Sequence, residues 1–188
     1  MLVYLHGFNS SAQSRKAVAL GQYLERQGLS HHYACPTLPH RPGEAIAAAE
    51  AAMGGRSGHE VCFVGSSLGG FYATHLAHKH GARAVLINPA IDPHRLLRAY
   101  LGPQRNLYTG ASYELTEDHL KAWERLCVPA IVPSDYLLLV ETGDEVLDYR
   151  EAVRYYAGAE QVVVEGGDHT LQSFEQHLPG IVAFARLV

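Results

Sequence analysis

Short apolar runs recur along the chain, separated by stretches with helical spacing. The runs fall at residues 2–5, 32–34, 61–64, 84–87, 136–140 and 161–164. Several are continuously apolar instead of alternating, the pattern of strands buried on both faces of a parallel sheet. Between them, residues 14–27, 43–53, 68–80 and 148–156 read as helices. Gly28, Gly54-Gly55, Gly81 and Gly158 follow as stop signals, since glycine adopts the left-handed conformation that closes a helix. Strand and helix alternating along one domain of 188 residues predicts an α/β fold. Its expected form is a mostly parallel sheet of about six strands with helices on both faces.

One interval departs from this rhythm. About 48 residues separate the run ending at Ile87 from the run starting at Tyr136, where a crossover needs far fewer. The interval carries Pro89, Pro93, Pro103, Pro129 and Pro133. Two helices are expected within it, at 93–100 and 117–127, the second capped by Thr116 with Glu117 and Asp118 in its first turn. Residues 91–130 therefore read as a small helical cap inserted over one rim of the sheet.

Composition narrows the class. The hydrophobic fraction is 47% and the charged fraction 18%, ordinary for a globular enzyme. The net charge of −4 is unevenly spread, +2 over residues 1–94 and −6 over the remainder. No basic run suits a phosphate backbone, so a nucleic-acid partner is not expected. No membrane-length apolar window and no leader-like start is present. Cys35, Cys62 and Cys127 are an odd set without paired spacing. They read as reduced, buried thiols of a cytoplasmic protein.

The chemistry centres on Gly65-Ser66-Ser67-Leu68-Gly69, a G-x-S-x-G match. By composition such a match arises by chance roughly 0.09 times in a chain like this, so it needs context. The context is a strand before it and a helix after it, the setting of a nucleophile elbow. Only Ser67 has glycines at both offsets, which marks it as the nucleophile. A serine hydroxyl needs a base, and in this arrangement the acid and then the histidine follow in chain order.

Asp144 lies just past the run 136–140, and His169 lies on the Gly-rich segment after the run 161–164. These two are the expected acid and base. Glu141, Glu145, Asp148 and Asp168 are the rival carboxylates. Backbone N–H groups of Leu68, after the nucleophile, and of Phe8, after the first strand, are the expected oxyanion-hole donors. Asn9 or Ser10 are alternatives to Phe8.

His75, His78 and His80, and the pair His31-His32, are better read as surface or packing residues than as metal ligands. No nucleotide-binding motif appears, so neither a cofactor nor a metal is expected.

The blocks LVYLHGFNSS, VGSSLGG, INPAI, ETGDEVLDYREA and EGGDHTLQSFEQHLP together resemble the YqiA-like esterase family of α/β hydrolases. The resemblance spans nearly the whole chain and implies a compact α/β-hydrolase fold. It also implies hydrolysis of carboxylic esters, with Ser67, Asp144 and His169 as nucleophile, acid and base. The partner would be a small-molecule ester or an acyl-CoA thioester. A scaffold that binds without catalysis is the contrasting possibility. In the cap, Leu96, Leu97, Tyr100, Leu101, Leu107, Tyr108 and Trp123 exceed what a surface loop needs; some should cover the core and others line an acyl pocket. Arg95, Arg98 and Arg105 read first as a solvated basic surface, and otherwise as contacts for acyl-CoA phosphates.

Overall fold

A computed structural model describes residues 1–187. Six strands form one parallel sheet: β1 (Leu2–Leu5), β2 (Tyr33–Ala34), β3 (Cys62–Ser66), β4 (Arg83–Ile87), β7 (Tyr136–Glu141) and β8 (Glu160–Val164), in the order β2-β1-β3-β4-β7-β8. Every residue of β1, β3 and β7 is buried, the polar Ser66 and Glu141 at the carboxyl ends of β3 and β7 included. The edge strand β8 is half exposed.

Successive strand residues serve opposite faces, because side chains alternate along a strand. Val3, Leu5, Phe63, Leu86 and Leu138 pack with α2 (Pro42–Ala52), α3 (Leu68–His80), α5 (Glu117–Arg125) and α6 (Tyr149–Tyr155). Leu2, Tyr4, Val64, Val85, Ile87, Leu137 and Leu139 pack with α1 (Arg15–Arg26) and α7 (Leu178–Phe184). The expected helix stops hold: Gly28 has φ +73° and Gly81 φ +63°. The α7 helix adds a further element at the carboxyl end of the chain, despite Pro179 and Gly180. Proline is tolerated in the first turn of a helix, which is where this one lies.

The segment 91–130 corrects the expectation of a purely helical cap. It holds a short helix α4 (Pro93–Leu96) running into a 3₁₀ turn at Leu97–Tyr100, then an antiparallel hairpin of β5 (Gly102–Arg105) and β6 (Ser112–Leu115), then α5. Pro103 hid the first hairpin strand, since proline is confined to edge strands and bulges. A two-stranded ribbon is marginal alone, and this one is held by the loop after β1, as described below. Thr116 caps α5, its amide donating to His119 Nδ1 at 3.2 Å. All three cysteines are free, but only Cys62 is buried; Cys35 and Cys127 are half-buried. Among the described residues no helix is long and apolar enough to cross a membrane.

From β1 the chain first adds β2 on one side, then crosses to β3 on the other. The crevice above the carboxyl ends of β1 and β3 is therefore the topological switch point, where open α/β sheets bind ligands.

Candidate active site

Ser67 joins β3 to α3 with φ 55° and ψ −120°, a conformation that costs a non-glycine residue roughly 1–3 kcal/mol. The surroundings enforce it. The Ser67 amide donates to Ile87 O at 3.0 Å, and its carbonyl accepts from Gly70 N at 2.9 Å and Ala90 N at 3.1 Å. A Cβ on Gly65 would collide with the backbone of Gly69, and a Cβ on Gly69 would collide with the carbonyl of Leu5. Strand and helix approach so closely at the elbow that both positions demand glycine.

Asp144 and His169 meet on the same rim. His169 Nδ1 lies 2.8 Å from Asp144 Oδ2, and the Asp144 side chain is only 1% exposed. Asp144 Oδ1 accepts from Val146 N at 2.9 Å and Leu147 N at 2.8 Å. Burial opposes its charge, but the bonds from His169 and from those two amides outweigh this and hold the carboxyl below its ordinary value. A carboxylate on Nδ1 sets the tautomer in which Nε2 is the free ring nitrogen. Ser67 and His169 line one cavity. Among the described residues Ser67 Oγ makes no hydrogen bond, as is common in unliganded sites where the contact tightens on binding.

The rival carboxylates hold other parts of the rim. Glu145 accepts from the His169 backbone amide at 3.0 Å. Asp148 caps α6 by accepting from Arg150 N at 3.0 Å. Asp168 closes its own exposed turn, accepting from Thr170 N at 2.8 Å and Gln172 Nε2 at 2.8 Å.

Glu141, 1% exposed, is the hub beneath the histidine loop. It accepts from Asp168 N at 2.9 Å, Gln172 N at 2.9 Å, Ser173 N at 2.8 Å and Ser173 Oγ at 2.7 Å. Asn88, within the INPAI block, is a further residue of the site that no motif marks. Its buried side chain donates to the carbonyls of Asp168 and His169, each at 3.1 Å, and accepts from Glu141 N at 3.1 Å. A polar residue at the end of an apolar strand was the available signal. From the other side, Lys16 Nζ donates to Thr170 O at 2.8 Å, and burial pushes its pKa down to about 8.

The loop after β1 lies against the elbow: a Cβ on Gly7 would sit 3.4 Å from Ser67 Cβ. Among the described residues the backbone N–H groups of Phe8 and Leu68 have no partner. The hairpin braces this loop. Tyr113 donates to Asn9 Oδ1 at 2.8 Å, Asn9 Nδ2 donates to Gln104 at 3.1 Å, Leu107 N donates to Asn9 O at 3.0 Å, and Asn106 Nδ2 donates to Ser10 O at 2.7 Å. Asn9 itself has φ +52°.

The cavity above Ser67 has a volume of about 670 Å³. Of the seven apolar and aromatic cap residues, Leu96, Leu97, Tyr100, Leu107 and Tyr108 line it, while Trp123 covers the core, donating to Tyr72 OH at 2.7 Å. Ser14 also lines the cavity, and its Oγ is buried without a partner. The cap arginines do not reach it: Arg98 pairs with Glu117 at 2.8 Å and Arg95 with Asp92 at 3.5 Å. Among the clustered histidines, His75 contacts Leu126 O and His80 contacts Glu50.

Solved structures share this arrangement of sheet and helices. A candidate hydrolase of Agrobacterium vitis S4 superposes with a TM-score of 0.75 at 18% identity, covering 98% of this chain and 87% of its own. Mouse alpha/beta hydrolase domain-containing protein 10 gives 0.74 at 16% identity, covering 97% and 87%. The esterase domain of a Rhodothermus marinus protein gives 0.69 at 19% identity, covering 98% and 85%. The fold is therefore that of the α/β hydrolases. A UPF0227 protein of Serratia proteamaculans (strain 568) is 25% identical over 190 residues, covering 100% of this chain and 99% of its own. The model of the uncharacterised protein family UPF0227 matches residues 1–186. The chain belongs to the UPF0227 family.

Proposed function

We propose that this protein is a serine hydrolase that cleaves small carboxylic esters through an acyl-enzyme intermediate. The observation that carries this reading is the 2.8 Å contact between His169 and a buried Asp144, on the rim of a cavity that also holds Ser67 in a strained elbow. Ser67 Oγ attacks the ester carbonyl carbon while His169 Nε2 takes its proton. Asp144 steadies the resulting imidazolium, and the proton passes to the departing alkoxide. Water, activated by the same histidine, then releases the acid and restores Ser67. The N–H groups of Phe8 and Leu68 meet the oxyanion, each such donor contributing roughly 3–4 kcal/mol to barrier reduction.

The cavity suits a substrate with an apolar acyl or aryl group, given walls of Leu96, Tyr100, Leu107, Val146 and Phe174. Its volume is that of ordinary small-molecule sites. The acyl-CoA alternative loses its main support, because none of Arg95, Arg98 and Arg105 lines the cavity and the first two are paired with acidic residues. A silent binding scaffold gives no reason for the Asp144–His169 pair beside a strained serine.

The test is a fluorophosphonate probe together with a panel of short and medium-chain aryl esters. Wild type should be labelled at Ser67 and should hydrolyse esters, and Ser67→Ala should do neither while melting at a similar temperature. Full-rate labelling of the alanine variant would refute the assignment.

A further inference from the structure

We propose that Asp92, His94 and Cys127 form a binding site for a divalent transition-metal ion of zinc-like preference at the base of the cap. Their donor atoms all lie within 4.8 Å of one another, the one such convergence among the described residues. Cys127 Sγ lies 3.8 Å from His94 Nδ1. Around a tetrahedral zinc ion, with bonds of about 2.0–2.3 Å, neighbouring donors stand roughly 3.4–3.6 Å apart. Small side-chain movements therefore suffice to close the site.

Each residue is available for this role. Asp92 occupies the position before α4 at which an aspartate ordinarily caps the first turn, yet its carboxylate makes no cap bond. Its ion-pair partner is Arg95 at 3.5 Å, whose side chain is 78% exposed and free to swing away. Cys127 Sγ is the hydrogen-bond partner of the His94 ring. Cys127 is a free thiol, otherwise near Trp123 O at 3.6 Å. Pro93, between Asp92 and His94, restricts the backbone and presets two of the ligands. A thiolate and an imidazole select zinc-like ions over magnesium or calcium. All three residues are half-buried, which leaves a coordination position open to water.

The placement has a structural consequence. His94 and Cys127 lie near the two ends of the cap insertion, so a bound ion would staple those ends together. Ala90, immediately before that segment, reaches the elbow, where its N–H donates to Ser67 O. The site does not depend on the reaction assigned to Ser67 and is tested separately.

The experiment uses the reduced, chelator-treated full chain with cobalt(II) as the spectroscopic probe and zinc(II) as competitor. One cobalt per chain should bind, with a near-ultraviolet thiolate-to-cobalt charge-transfer band that zinc abolishes. Cys127→Ser should erase the band and Cys35→Ser should retain it. His94→Ala and Asp92→Asn should each weaken binding by about tenfold or more. Zinc at a hundredfold excess over Kd should raise the wild-type melting temperature by about 5–10 °C and leave Cys127→Ser at its own baseline. That readout holds even if the variant is less stable. Absence of the band in wild type, or its survival in Cys127→Ser, overturns the proposal.

Discussion

The side-chain amide of Asn88 donates to the backbone carbonyl of His169 at 3.1 Å. Asn88 is 2% exposed and holds φ +39° at the end of β4. Through its second acceptor, Asp168 O, and through Glu141 N, it ties β4, β7 and the histidine loop into one unit. The backbone that carries His169 is thus held by a residue that does not line the cavity.

Asn88→Ala should lower kcat by roughly ten- to a hundredfold with KM changed by less than about threefold, because unpaired buried groups cost roughly 1–3 kcal/mol each and the loop loosens. Ester kinetics and the rate of fluorophosphonate labelling should fall in parallel. An unchanged labelling rate would assign Asn88 to stability alone.

Asp144→Asn should reduce kcat by about four orders of magnitude, since an amide at Nδ1 favours the wrong histidine tautomer. Asp168→Asn should cost less than about threefold, because its carboxylate serves an exposed turn. Steady-state kinetics of the two variants on one ester decide the matter. A more damaging Asp168 change would transfer the acid role.

Glu141 sets an acid limit on stability. Burial alone would raise its pKa, but the donors Ser173, Asp168 and Gln172 hold it below the ordinary 4.5. A depressed carboxyl contributes stability that is present above its unfolded value and is lost as pH falls through its folded one. The melting gap between wild type and Glu141→Gln should therefore be widest near neutrality and should shrink below about pH 4.5. A gap constant across that range would mean the charge is not what holds the loop.

The runs at Val3, Phe63, Leu86 and Leu138 announced a sheet covered on both faces, because each must be dry on either side of the strand. Gly65 and Gly69 announced the elbow, because their missing side chains leave the only space in which strand and helix can touch. Asp144 and His169 were legible from chain order, each just past the end of a strand. The hairpin was not: Pro103 reads against a strand, and the ribbon is braced by Asn9, 104 residues before Tyr113. Glu141 was visible only as a rival acid. The amides it accepts lie 27–32 residues further on, and their convergence has no periodic trace.

What the sequence alone determined is therefore whatever depends on neighbours in the chain: burial pattern, helix stops, the strained serine and the order of the polar residues behind it. What only the tertiary structure decided is whatever depends on residues distant in sequence arriving at one point. The clasp of Asn88 and Glu141 on the histidine loop, the brace of Tyr113 on Asn9, and the meeting of Asp92 and His94 with Cys127 are of this kind. Local propensity acts over a few residues, whereas these contacts exist because the sheet order β2-β1-β3-β4-β7-β8 brings the carboxyl ends of parallel strands to a common rim.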